Sequence, residues 1–310
     1  MPTPSKRISA AGPEPMEALA CVLAVVAAAA LWWLAPRWRL RRALSRPLPA
    51  VALDILARNV VQYRGMPAEL QGQLQTLVRQ FLHQKTFVGC AGLDITDEMR
   101  VTIAGQACLL LLNRATRVYP ELDTILVYPD AFTAPRKEVD AAGVVHDAPR
   151  GLLGESWGDG RVLLSWRHVR RDEHAEPGAQ NVVLHEFAHQ LDSESGSNNG
   201  APYLGSVESY RSWSAVLSAD FAALRRDAMF GHGDREGDTV LDHYGATSPA
   251  EFFAVATESF FEKPWALAAR HAALYGEFLK YYRVDPRAWL PEPVAVPEAP
   301  WYGGAHGQWQ

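Results

Sequence analysis

Asn181-Val-Val-Leu-His-Glu-Phe-Ala-His-Gln-Leu-Asp192 is the stretch on which the reading of this chain turns. It is mostly apolar and free of helix breakers, so a buried helix is expected over roughly residues 180–191. Residues four apart share a helix face, so His185 and His189 present their rings side by side. Two neutral imidazoles suit Zn²⁺, which in catalytic sites takes a third protein ligand and keeps one position for water. Glu186, next to the first histidine, is placed to take a proton from that water and return it to a leaving amine. The motif by itself supplies two ligands and a base, and the third ligand has to come from elsewhere.

One class of zinc site is excluded at once. It would need a glycine and a third histidine shortly after His189, where this chain has Asp192 and Ser195. The other common choice is a carboxylate from a later helix. Tyr244-Gly-Ala-Thr-Ser-Pro-Ala-Glu-Phe-Phe-Ala-Val-Ala-Thr-Glu258 offers two, Glu251 and Glu258. Seven residues apart, they lie on one face but about 10 Å apart along the axis, too far to bind one ion together. Ser248-Pro-Ala-Glu251 is also a capping box, with proline at the first helical position. Spacing alone leaves Glu251 between cap and ligand, and Glu258 between ligand and support for one.

A wider set of segments resembles the Mlc titration factor A family of bacterial zinc peptidases, also described as DgsA anti-repressors. These are Phe87-Val-Gly-Cys-Ala-Gly-Leu93, Ile125-Leu-Val-Tyr-Pro129, Asn181 to Asp192, Asp242-His-Tyr-Gly-Ala-Thr-Ser-Pro-Ala-Glu-Phe-Phe-Ala254, Glu258 and Phe260-Phe-Glu-Lys-Pro264, spread over roughly residues 60–285. The resemblance, shared with the catalytic domain of anthrax lethal factor, implies a zincin-like α+β fold and one Zn²⁺ per chain. It implies that Glu251 is the third metal ligand and that Tyr244 stabilises the oxyanion. It matches Asp192 to an acidic position that would support a metal-bound histidine through its outer nitrogen, with direct ligation or a surface role as the alternatives, and Glu258 is a second candidate for such support. It further implies aminopeptidase-like cleavage of peptides and, as an alternative primary role, sequestration of a transcriptional repressor.

The rest of the chain sets bounds. Its 310 residues are enough for one large catalytic domain, and a net charge of −5 gives no reason to expect direct nucleic-acid binding. Cys21, Cys90 and Cys108 match neither a disulfide framework nor a cysteine zinc site. Residues 16–35 carry only Glu17 as a charge, end near Trp32 and Trp33, and precede Arg37, Arg39, Arg41 and Arg42. That pattern predicts a transmembrane helix anchoring a cytoplasmic catalytic domain to the inner membrane, against the soluble cytoplasmic alternative. The expected organisation is a tail over 1–15, a span over 16–36, a basic connector over 37–60, the peptidase domain over 61–290 and a disordered tail over 291–310. Strands are expected at Thr124–Pro129 and Arg161–Trp166, the latter an exposed edge or a core strand, and a loop over 133–160. Another loop is expected over 231–238 and one helix from Pro264 to Tyr282. His168, His174 and His243 read as surface or structural histidines.

Overall fold

The computed structural model describes residues 15–114, 117–130, 132–139, 145–152, 154–157, 160–170, 181–230 and 240–293. His174, the loop over 231–238, residues 1–14 and most of the C-terminal tail lie outside the described residues. The chain divides into two compact units, Met1–Pro47 and Leu48–Gln310.

In the first unit, α1 spans Pro15–Leu44 as one helix with Pro36 inside it. Leu23, Val25, Leu31 and Trp32 are exposed, and Arg37 turns back to donate to the Trp33 carbonyl at 2.8 Å while lying 3.9 Å above its ring. Among the described residues, no helix is long and apolar enough to cross a membrane. No such helix covers the span expected over residues 16–35, and the anchor built on it loses its support.

The second unit is helix-rich with a small sheet, the α+β architecture expected. The basic connector expected over 37–60 is instead helical in large part: α1 continues to Leu44, and α2 (Ala50–Asn59) buries Ala52, Ile55 and Leu56 at helical spacing. α3 (Ala68–Gln84) buries Leu74, Val78 and Phe81, then leads into β1 (Thr86–Gly89). α4 (Asp97–Leu109) starts where the Thr96 hydroxyl accepts from the Met99 N–H at 3.2 Å. Gly105 lets α2 close on α4, since a Cβ there would stand 2.6 Å from Leu56.

After β2 (Thr124–Tyr128) the expected loop region holds strands: β3 (Phe132–Val139) pairs antiparallel with β4 (Val145–Leu152), and β5 (Gly154–Trp157) follows. β6 (Arg161–Ser165) and the short α5 (Trp166–Val169) complete this part. The main sheet runs β1-β2-β6-β5, with the first three strands parallel and β5 antiparallel to β6. In register, Phe87, Ile125 and Val162 lie side by side. Of the two alternatives for this segment, β6 is the core strand, inner in the sheet with Val162, Leu163 and Leu164 buried, and the antiparallel β5 holds the edge.

The remaining helices are α6 (Val182–Ser193), α7 (Val207–Phe230), α8 (Pro249–Glu262), α9 (Pro264–Arg270) and α10 (Ala272–Tyr282). The single helix expected over Pro264–Tyr282 is broken at His271, whose backbone (φ −130°, ψ 54°) leaves the helical region. Its ring is tied to Asp220 of α7 at 2.7 Å, a tertiary contact that outweighs the local preference to continue. Phe253 and Phe260 of α8 pack with Phe278 of α10, and Trp213 stacks 5.3 Å from Phe278. This core fixes α8 against α7 and α10 and sets the frame for the site.

Candidate metal centre

α6 begins where the Asn181 side chain accepts from the Leu184 N–H at 3.0 Å. From Val182 to Asp192 every residue is buried, including His185, Glu186, His189, Gln190 and Asp192. A helix buried on all sides normally carries no ionisable groups, so five polar ones in eleven positions need partners or a ligand.

α6 packs against α8, and that places the second half of the constellation. Ser248 caps α8 by accepting from the Glu251 N–H at 3.2 Å. The Glu251 carboxylate turns to α6, with Oε2 at 2.9 Å from His185 Nε2 and 3.4 Å from His189 Nε2. The capping box is therefore half used: serine caps, and the glutamate faces the two imidazoles. His185, His189 and Glu251 each offer a ligand atom, all within 4.8 Å of one another. Ligand atoms around a tetrahedral ion with bonds of ~2.1 Å stand roughly 3.4 Å apart, so the donor set fits a metal such as zinc in both chemistry and spacing.

Electrostatics favours a cation at this point. Burial lowers the His185 pKa, but hydrogen bonds to Glu251 and Glu258 outweigh it and hold the ring well above the usual imidazole range. Burial pushes the Glu251 carboxyl up, yet its bonds to His185 and His189 bring it well below its ordinary value. Behind His185, Glu258 Oε1 lies 2.7 Å from Nδ1, and its Oε2 accepts from the Asn181 N–H at 2.8 Å. Burial raises the Glu258 pKa, opposed by these bonds. A carboxylate can only accept, so the bond to Glu258 keeps a hydrogen on Nδ1, and a metal held by His185 would take the place of the hydrogen that Nε2 directs at Glu251. Glu258 is thus a support for a candidate ligand rather than part of the convergent set.

The other predicted residues are placed as follows. Glu186 is buried on α6 between the two histidine turns. Tyr244 lies in a short 3₁₀ turn, His243–Ala246, capped by Asp242, and its ring centroid is 5.8 Å from that of His185. Asp192 accepts from the Gly200 N–H at 2.7 Å through Oδ2, anchoring the loop after α6. Burial raises its pKa, opposed by the Gly200 bond and by the nearby His189 ring, and its Oδ1 and His189 Nδ1 are both buried with no hydrogen-bond partner among the described residues. The carboxylate bonded to the outer nitrogen of a candidate ligand is that of Glu258. His168 bonds Ser165 at 2.8 Å and His243 bonds Asp227 at 2.9 Å, so neither joins the cluster.

Asn181 has a part the spacing did not reveal. Its backbone N–H holds Glu258, its side-chain oxygen caps α6, and its amide nitrogen donates to Glu262 at 2.9 Å. The N-cap preference for asparagine was the available signal. The contacts to α8 had none.

Two imidazoles and a carboxylate from neighbouring buried helices, with a glutamate beside them, define a metallopeptidase-type centre. Comparison with known proteins agrees. The model of the glucose-regulated metallo-peptidase M90 family matches residues 35–283. An uncharacterized protein of Synechocystis sp. is 39% identical over 250 residues, covering 80% of this chain and 89% of its own. Mlc titration factor A of Serratia proteamaculans is 33% identical, covering 71% of this chain and 82% of its own length. That of Escherichia coli is 30% identical, covering 74% and 85%. The chain belongs to the M90 metallopeptidase family, as the resemblance had implied.

Proposed function

We propose that this protein is a zinc peptidase whose metal is held by His185, His189 and Glu251. The observation that carries the reading is the convergence of these three side chains within 4.8 Å. Zinc bound there would acidify a water and polarise a substrate carbonyl. Glu186 serves as the base that takes the water's proton and then delivers it to the departing amine. Tyr244 donates its hydroxyl hydrogen to the carbonyl oxygen as negative charge develops on it. Glu258 keeps the His185 ring oriented through the 2.7 Å bond to Nδ1.

Peptide substrate has a place to lie. Among the described residues, β5 pairs on one side only, with β6, and α6 packs nearby. An extended peptide added to that edge would be held by backbone hydrogen bonds. Cleavage in the aminopeptidase manner rests on the family resemblance, and peptides with free against acetylated N-termini test it.

The decisive experiment is Glu186→Gln. Loss of hydrolysis by ~10²–10⁴-fold with zinc retained supports the assignment. Undiminished hydrolysis overturns it.

The name carried by the relatives favours a second reading, in which the chain binds an Mlc-type transcriptional repressor and hydrolysis is secondary. Glu186→Gln separates the two. If the variant captures the repressor and preserves the cellular effect, binding is the primary function.

A further inference from the structure

Glu262 ends α8 at a place where a carboxylate is disfavoured twice. It stands at the helix C-terminus, where the backbone carbonyls already concentrate negative charge. It also follows Glu258 by four residues, the spacing at which like charges repel on a helix. Burial raises the Glu258 pKa, and the charge of Glu262 acts in the same direction. A glutamate at this position therefore needs a partner that offsets both effects.

Asn181 meets both carboxylates. Its backbone N–H donates to Glu258 Oε2 at 2.8 Å, and its side-chain amide donates to Glu262 Oε1 at 2.9 Å. The same side chain accepts from the Leu184 N–H, so its oxygen faces α6 and its nitrogen faces Glu262. Capping alone does not call for that second contact, since aspartate caps a helix as well as asparagine does. The donor toward Glu262 is what asparagine adds.

Glu251, Glu258 and Glu262 fall at i, i+7 and i+11, on one face of α8. They meet α6 in reverse order: Glu251 at His185 and His189, Glu258 at His185 and Asn181, Glu262 at Asn181. Asn181, His185 and His189 follow one another at four-residue steps. A slip of one residue between the helices would move these partners about 1.5 Å along the axis and draw Glu251 off the two Nε2 atoms it faces. We propose that Asn181 and Glu262 are a positioning pair for the metal centre, their hydrogen bond fixing where α6 lies along α8 and so the convergence of His185, His189 and Glu251. The inference rests on the assignment of those three side chains to the metal.

The test is zinc affinity of the full chain by chelator competition, together with the visible spectrum of the Co²⁺-loaded protein, which reports the geometry of the ligand set. Asn181→Asp keeps the cap and sets a carboxylate against Glu262. It is expected to lower zinc affinity about 10-fold or more and to alter the spectrum at saturating Co²⁺. Glu262→Gln alone should stay close to the wild type, because its amide oxygen still accepts from Asn181. Combined with Asn181→Asp it should restore both affinity and spectrum, since the new amide can donate to the new carboxylate. Wild-type affinity in Asn181→Asp, a wild-type spectrum despite weaker binding, or no recovery in the double variant overturns the proposal. His185→Ala keeps the two readings apart. If it holds zinc as tightly as the wild type, the ligand assignment falls together with the pair, whereas zinc lost in His185→Ala but kept in Asn181→Asp sinks the positioning pair alone.

Discussion

Glu258 bridges His185 and Asn181: one oxygen lies 2.7 Å from the His185 Nδ1, the other 2.8 Å from the Asn181 backbone nitrogen. One buried carboxylate thus fixes both the tautomer of a candidate metal ligand and the start of the helix that carries it. Glu258→Gln keeps the shape but replaces a charged acceptor with a neutral one. Zinc affinity, measured by competition with a chelator, is expected to fall about 10-fold, and about 100-fold in Glu258→Ala. Unchanged affinity in both variants would show that His185 needs no such support.

Gly200 couples the loop after α6 to the start of α8. Its φ is +79°, its N–H donates to Asp192, and its carbonyl accepts from the Trp213 indole at 2.8 Å. A Cβ there would stand 2.4 Å from the carbonyl oxygen of Pro249, two residues before Glu251. Gly200→Ala is expected to destabilise the protein by roughly 2–3 kcal/mol through positive-φ strain and this clash. Because Pro249 must move, zinc affinity falls with it. Thermal denaturation and chelator competition on the same preparation read both effects.

The local half of this site was legible because it obeys helix periodicity. His185, Glu186 and His189 are four-residue bookkeeping on one apolar helix, and Ser248-Pro-Ala-Glu251 announces the start of α8. What periodicity could not convey was direction. Whether Glu251 turns to its own N-terminus or to the histidines depends on how α6 and α8 pack. The same holds for Asp192, whose Oδ2 is taken by the Gly200 N–H, a contact that helix spacing does not convey. In the fold, the strands at residues 132–157 were missed for lack of an alternating apolar pattern, and the break at His271 depends on Asp220, fifty-one residues away.

Asp285 gives a pH dependence remote from the metal centre. It accepts from Arg287 Nη2 at 2.7 Å and from the Tyr275 hydroxyl at 2.7 Å. The Arg287 bond, chiefly, holds its pKa below the ordinary 3.8, against the effect of burial. A carboxyl depressed on folding adds stability that is present above the unfolded pKa and lost as pH falls through the folded one. Asp285→Asn should therefore lower stability above about pH 4 and converge with the wild type in stronger acid. With the side chain 38% exposed, solvent screening keeps the difference under ~1 kcal/mol. Urea denaturation at pH 3 and pH 6 checks it, and an equal deficit at both values would point to lost packing rather than lost charge.

Tyr244 is the sharpest test of the catalytic half. It sits on a turn held by Asp242 and Thr247, 40% exposed, with its ring 5.8 Å from that of His185. Tyr244→Phe removes only the hydroxyl and leaves the turn's hydrogen bonds intact, since both use the backbone. A donor that acts on developing charge contributes in the transition state and little in the ground state, so kcat is expected to fall about 10²–10³-fold with KM nearly unchanged. Zinc content should stay at the wild-type level, because Tyr244 is not among the three converging ligands. A rise in KM at constant kcat would reassign Tyr244 to substrate binding, and loss of zinc would place it in support of the metal centre.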